Sequence, residues 1–217
     1  MRSRRTDVRR GELCLNQRLG GRVDSDREHE DAFQLVRAAM SDAVGLLNVT
    51  RAAAEAISQL FSSWEITITL LDRDEYWDVV DMSVEQDGHP TFPNYRYPLT
   101  DFPIGTSRLL AGKGYVSGDA ADEVMVEYAR QWPEVPAGSI MSVPIIALGG
   151  VHGEIFLVRD LETPKFNRDD LDLASELATL LGARLPALVA AYEELDSGSD
   201  SHAMAQLTQN LGDVLNE

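Results

Sequence analysis

Residues that most often do covalent or metal chemistry are sparse in this 217-residue chain: one cysteine, Cys14, and four histidines, His29, His89, His152 and His202. A structural zinc site needs four thiolate or imidazole ligands at short paired spacings, and these residues show no such spacing. Thiol redox chemistry needs an attacking thiolate and a second thiol to resolve the product, and Cys14 has no second cysteine in the chain. Haem needs an axial ligand, for which His152 or His89 would serve, although a lone histidine is more often a surface residue. The sequence holds no Ser-His-Asp elbow, phosphate loop or GxGxxG motif. Gly149-Gly150 lies between two apolar runs and reads as a hairpin turn, and Asp169-Asp170 reads as the acidic start of a helix. The sequence displays no catalytic set, so an enzyme is not expected; changing Asp101 would be the first test of one.

The elements that would carry a site fill residues 29–195, read as one domain with flanking helices. Apolar positions Phe33, Val36, Met40, Val44 and Leu47 step by three or four, and Val49, Ala53, Ile57 and Leu60 resume the step on a shifted face. Two helices, or one bent near Gly45, satisfy this pattern. Ser62-Ser63 ends it, and Trp64 to Asp72 alternates Ile66, Ile68 and Leu70 with Thr67, Thr69 and Leu71, as a strand does. Trp77 to Val84 reads as a second strand, Gln86 to Asn94 as a loop, and Tyr95 to Leu99 as a third strand. Ile104 to Leu110 reads as a short helix and Gly114 to Ser117 as a strand. Asp119 is placed to cap a helix running to Gln131. Ser139 to Leu148 and Val151 to Asp160 form a hairpin, in which Pro144 implies an edge or a bulge. A long helix starts with Asn167 as cap and Phe166 as a staple to Leu171, and Pro186 bends it near its end. After a polar linker, residues 196–217 carry the stripe Met204, Leu207, Leu211 and Leu215, which needs a partner: the domain itself or another subunit.

Charge divides the chain unevenly. Residues 1–28 hold eight Arg against five Asp and Glu, a net +3, and read as a disordered arm; the remainder holds 11 basic against 31 acidic residues, a net −20. Such a body repels polyanions, which argues against nucleic acid as its main partner, and the arm's run of Arg2, Arg4, Arg5, Arg9 and Arg10 would bind RNA, DNA or an acidic membrane only weakly. A hydrophobic share of 44% fills one sizeable core. No run of about 18 apolar residues occurs, and Met1 is followed by no apolar h-region, so neither a membrane span nor a secretory signal is expected. A cytoplasmic protein with a reduced Cys14 and an unused Asn48-Val49-Thr50 sequon is the expectation.

The segments SQLFSSWEITITLLD, YPLTDFPIGTSRLLAGKGYVSGDA and SIMSVPIIALGGVHGEIFLV, in that order, resemble a GAF domain over about Gly45 to Tyr192. The resemblance implies an α+β, α/β/α layered fold with a central antiparallel sheet of about five or six strands. It also implies terminal helices on one face, often pairing between subunits, and a ligand pocket on the other. Carried onto this chain, Ile66, Ile68 and Leu70 would face the helices and Thr67 and Thr69 the pocket. Tyr97, Asp101, Thr106, Ser107, Ser139 and Met141 would lie near the ligand, a set suited to a small organic molecule with a few hydrogen bonds. Some GAF proteins reduce methionine sulfoxide with pocket cysteines, but Cys14 lies outside the resembling span. PLTDFP at 98–103 is similar to a chromophore-contact motif of photoreceptor members, with Cys14 ahead of the domain as in some of them; the pocket histidine is missing near the motif, so no bilin is expected. The cofactor stays unassigned. The expected function is a stand-alone sensory or regulatory protein that binds a small molecule, dimerises through its terminal helices and signals to a protein partner by contact. The alternative is a ligand-free interaction or dimerisation module of the same fold.

Overall fold

Gly45 takes a φ of 84°, a conformation that a side chain would strain, and divides the first apolar repeat into two helices. These are α1, residues 30–41, and α2, Leu46–Phe61. The shift of the apolar stripe at Val49 is the consequence: Val36 and Met40 of α1 and Val49, Ala53 and Ile57 of α2 still reach one common core. Helix α2 ends where Ser62 turns left-handed and the backbone N–H groups of Ser62 and Ser63 bond back to Gln59 and Ser58. The computed structural model describes residues 30–72, 75–84, 96–133 and 137–198. The Arg-rich arm, the 86–94 loop and the tail stripe from Met204 to Leu215 lie outside the described residues.

Six strands follow: β1 (Glu65–Asp72), β2 (Tyr76–Val84), β3 (Arg96–Pro98), β4 (Tyr115–Ser117), β5 (Ser139–Ala147) and β6 (Gly150–Arg159). They form one antiparallel sheet in the order β3-β2-β1-β6-β5-β4. Between β1 and β2 the register slips at Ile68/Thr69, which leaves Val80 as the extra residue of a bulge and keeps Trp77 and Thr67 on the same side. Helices α1, α2, α5 (Arg168–Gly182) and α6 (Leu185–Gly198) cover one face. Helices α3 (Pro103–Leu110) and α4 (Glu123–Gln131) cover the other. The layered GAF-like architecture therefore stands, with all six strands antiparallel to their neighbours.

The helix-side core is aliphatic. Ile66, Ile68, Ile155 and Leu157 of the central strands meet Leu177, Ala178 and Leu181 of α5, all fully buried or nearly so. Each large aliphatic side chain removed from water there contributes about 1.5–3 kcal/mol before entropy is counted. The entry to α5 is a complete capping box: the Asn167 carboxamide oxygen accepts from the N–H groups of Asp169 and Asp170, and the Asp170 carboxylate accepts from the N–H of Asn167. Phe166 and Leu171 are both buried beside it. No single helix among the described residues is long and apolar enough to cross a membrane. α5 and α6 together reach the length, but they bend by 43° at their join and α5 spends its apolar face on the sheet.

Three local expectations move and one, at Pro144, is met. The α4 cap is Asp122, whose side chain accepts from the Val124 N–H, while Asp119 only closes the preceding turn onto Ala121. The hairpin turn is Leu148-Gly149, with φ of 51° and 83°, because Gly150 already pairs with Ala147 across the ladder. Pro144 meets its expectation: β4 stops pairing at Ser142, which leaves Pro144 at a local edge, and the β5–β6 register shifts just beyond it, between Ile145 and Ile146. The helical run breaks at Ala183-Arg184, ahead of Pro186, which sits in the first turn of α6 where its missing N–H is harmless.

Candidate functional site

Alternation along β1 sends Glu65, Thr67 and Thr69 to the face opposite the aliphatic core, and all three are buried. The antiparallel register brings Phe156 of β6 opposite Thr67, and Glu154 opposite Thr69. Under α3 and α4, Glu65, Thr67, Glu154 and Phe156 floor a cavity of about 60 Å³. Trp77 of β2, Tyr97 of β3 and Tyr115 of β4 line its sides, while Thr106 and Leu109 of α3 and Tyr128 of α4 form the roof. Phe102 and Trp132 stand at the ends of the roof helices, and Trp132 is 37% exposed, which makes it the rim.

Two carboxyl groups define the chemistry. Glu154 is fully buried and accepts three hydroxyl hydrogen bonds: from Tyr97 at 2.9 Å and Thr69 at 3.4 Å on Oε1, and from Ser142 at 2.8 Å on Oε2. Its pKa is raised, because burial penalises the anion more than the three donors stabilise it. Glu65 accepts from the Thr67 hydroxyl at 3.2 Å and from Tyr128, and burial pushes its pKa up to about 7. A carboxyl poised there changes charge near neutral pH. The phenols of Tyr97, Tyr115 and Tyr128 are held above their ordinary range by burial and by the adjacent carboxyls, so they remain donors.

A third glutamate holds the roof together. Glu127 of α4 is buried, and its two oxygens accept from the N–H groups of Ile104 and Gly105, each at 3.0 Å. It thereby caps α3, whose own N-cap residue Phe102 has no side-chain acceptor. Glycine suits position 105 at this join, since a Cβ would lie 2.8 Å from the Tyr115 hydroxyl and would force that ring to shift. The roof is also tied to the sheet by the Trp77 indole N–H, which donates to the Thr106 hydroxyl at 3.2 Å. Among the described residues no group of three His, Cys, Asp or Glu is arranged to hold a metal ion. His152 does not line the cavity. A wider depression of about 250 Å³ lies beside Gly118 and Gly138, but its charged groups are engaged locally: Lys165 on the Gly118 carbonyl, Asp160 on Glu162 and Thr163, Asp119 on Ala121.

A family model described as GAF domain matches residues 45–185, more than half of the chain. The chain belongs to the GAF family. No curated protein matches it. In fold this GAF domain is similar to the chromophore-binding domain of an unusual bacteriophytochrome from R. palustris, with a TM-score of 0.62 and 15% identity, covering 77% of this chain and 63% of that one. It is also similar to the chromophore-binding domain of a Stigmatella aurantiaca bacteriophytochrome, at TM-score 0.60 and 14% identity, covering 76% of this chain and 60% of that chain. A phycoerythrobilin-bound GAF domain from a cyanobacterial phytochrome gives a TM-score of 0.61 and 15% identity, covering 76% of this chain and 97% of that one. The chain thus spans about three fifths of the length of both bacteriophytochrome chains. Identities this low establish a shared fold.

Within the GAF sheet the residues singled out from sequence scatter. Thr67, Tyr97 and Thr106 line the cavity, and Thr69 touches it through Glu154. Asp101 sits in a turn of 3-10 helix, where its backbone carbonyl accepts from Gln131, and it does not line the cavity. Ser107 is exposed on the outer side of α3. Ser139 and Met141 are corrected outright: both point to the helix side, Met141 into the aliphatic core and Ser139 as acceptor for the Phe166 N–H. On the cavity side β5 places Ile140 and Ser142, so the assigned parity of that strand was off by one, and a one-residue step exchanges the faces. Sequence reasoning missed Glu65, Glu127 and Glu154. Two left a signal: Glu154 interrupts the apolar strand GEIFLV, and Glu127 occupies the buried side of α4 with Val124 and Tyr128.

Proposed function

We propose that this GAF domain is a sensory or regulatory module that binds a small molecule in the cavity between the sheet and the α3–α4 roof. The observation that carries the reading is the burial of two ionisable groups, Glu65 and Glu154, around an open space rather than against packed side chains. Groups of this kind are costly to bury, and sites are where such costs are retained. Thr67, Tyr97 and Thr106 orient the ligand, with Thr69 acting through Glu154. The volume of about 60 Å³ suits a molecule, or the head of one, far smaller than the bilin named for the cyanobacterial neighbour. No nucleophile of the Cys, His or Lys type lines the cavity among the described residues, which favours binding over catalysis.

The output is contact with a protein partner in the cytoplasm, and the helix layer is the surface that transmits it. Exposed Leu35, Val44 and Leu47 around the α1–α2 join support a homodimer through this layer. Ligand binding under α3 and α4 shifts the populations of roof and helix-layer arrangements, which the partner reads. Native mass spectrometry of the full chain, compared with the same sample denatured, tests both parts. A dimer carrying mass that denaturation removes supports the reading. Bare protein that still dimerises replaces it with the interaction module of the same fold.

A further inference from the structure

We propose that the cavity takes a small organic cation, an amine, amidine or guanidine head of a few heavy atoms, held by Glu65 and Glu154 against aromatic walls. This assignment rests on the ligand-binding reading above and adds the chemical class. The ionic inventory decides it. Glu65 and Glu154 line the cavity, and no Lys, Arg or His does so among the described residues. Their partners are hydroxyl groups: Thr67 and Tyr128 for Glu65; Tyr97, Thr69 and Ser142 for Glu154. Hydroxyl donors fix the direction of a carboxylate but supply no countercharge, so an anion arriving here meets no positive side chain among the described residues. A protonated nitrogen supplies what the site lacks, as charge-assisted hydrogen bonds to both ends of the floor. The guanidinium of Arg108 stands 5.6 Å from the Tyr115 ring centre and does not line the cavity.

The walls agree with the floor. Trp77, Tyr115, Tyr128 and Phe156 surround the space with rings, surfaces that attract a partly desolvated cation electrostatically. A cavity of about 60 Å³ is several times the roughly 10–15 Å³ that admits one water, enough for a guanidinium or ammonium head, and a longer tail would leave past Trp132. Burial holds the Glu65 carboxyl half protonated near pH 7, so a cation that recruits its anion expels a proton. A neutral ligand of the same shape expels none.

The full-length protein, titrated with methylguanidinium, its neutral near-isostere methylurea, and acetate, tests this through the indole N–H signals of Trp77 and Trp132 in 1H–15N spectra. Concentrations up to about 50 mM cover a millimolar site. Methylguanidinium is expected to move both signals saturably and to bind about tenfold or more tightly than methylurea, with acetate inert. Glu65→Gln and Glu154→Gln should each weaken it about tenfold; if Glu154→Gln does not fold, Glu65→Gln carries the comparison. Calorimetry near pH 6.5 in PIPES and in ACES should show protons released by the wild type and clearly fewer by Glu65→Gln, whose remaining release comes from Glu154. Methylurea or acetate binding as well as methylguanidinium overturns the cation assignment and leaves a ligand pocket standing. Silence of the Trp77 signal toward all three probes also overturns it, and mass retained in the native spectrum then decides separately whether the pocket binds anything.

Discussion

On its helix side the sheet presents Ile66, Ile68, Ile155, Leu157 and Met141, all fully buried against α2 and α5; on its other side the same strands present Glu65, Thr67, Thr69, Glu154, Phe156 and Ser142. Alternate residues of one chain thus build two interiors of opposite character. The aliphatic side needs only shape and water exclusion, and it maximises both. The polar side carries carboxyl groups whose ionisation burial opposes, each held by a set of hydroxyl donors around open space. Burying those groups lowers stability, so the helix side must supply the surplus that lets the cavity side exist. The difference teaches where to look for function in a GAF domain of this kind: at the face that packs less well than its own strands allow.

The comparison would break most clearly at Leu177, which is fully buried on the aliphatic side. Leu177→Ala should cost about 4 kcal/mol in urea unfolding, through lost transfer energy and the cavity left behind. A cost near zero would mean that the helix layer does not hold the fold. On the polar side the effect should run through pH. Glu65 has a folded pKa of about 7 against an ordinary 4.5, so its contribution to stability is complete below about pH 4.5 and is lost as pH rises through about 7. That loss amounts to roughly 3 kcal/mol. Glu65→Gln cannot ionise and should be less sensitive to pH over this window, retaining only the slope that Glu154, shifted in the same direction, contributes. Identical slopes for the two proteins would remove the buried acid from the account.

Smaller effects sharpen the contrast. Thr106→Val takes the acceptor from the buried Trp77 indole N–H and should cost about 2 kcal/mol, whereas Thr106→Ser restores most of it. Equal stability of the two variants would show that the roof is not tied to the sheet by this bond. Asn167→Ala, at the start of α5 and remote from the cavity, should cost about 1 kcal/mol without changing the response of stability to pH.

Much of the fold was legible because local rules governed it. The Gly45 division, the Ser62 stop, the Asn167 cap and the period-two pattern of β1 each depend on a few neighbouring residues, and each appears in the structure. The errors lie where a local pattern allowed two answers. Two aspartates precede α4, and only the one whose side chain reaches the Val124 N–H caps it. In β5 nearly every residue is buried on both faces, so no alternation marked which parity met the cavity, and Ser139 and Met141 were assigned in place of Ser142.

By itself the sequence determined the succession of elements, the alternation along β1 and the acidity of the domain, since these follow from spacing, caps and composition; which side of β1 meets the helices came from the resemblance to GAF domains. Only the tertiary structure decided that Glu65, Glu127 and Glu154 belong to one layer beneath and within the α3–α4 roof. Those residues are far apart in the chain, and what unites them is strand register and burial. Register arises from the pairing of whole strands, and the cost of burying a carboxyl depends on the groups packed around it, so neither is written in any local stretch of residues.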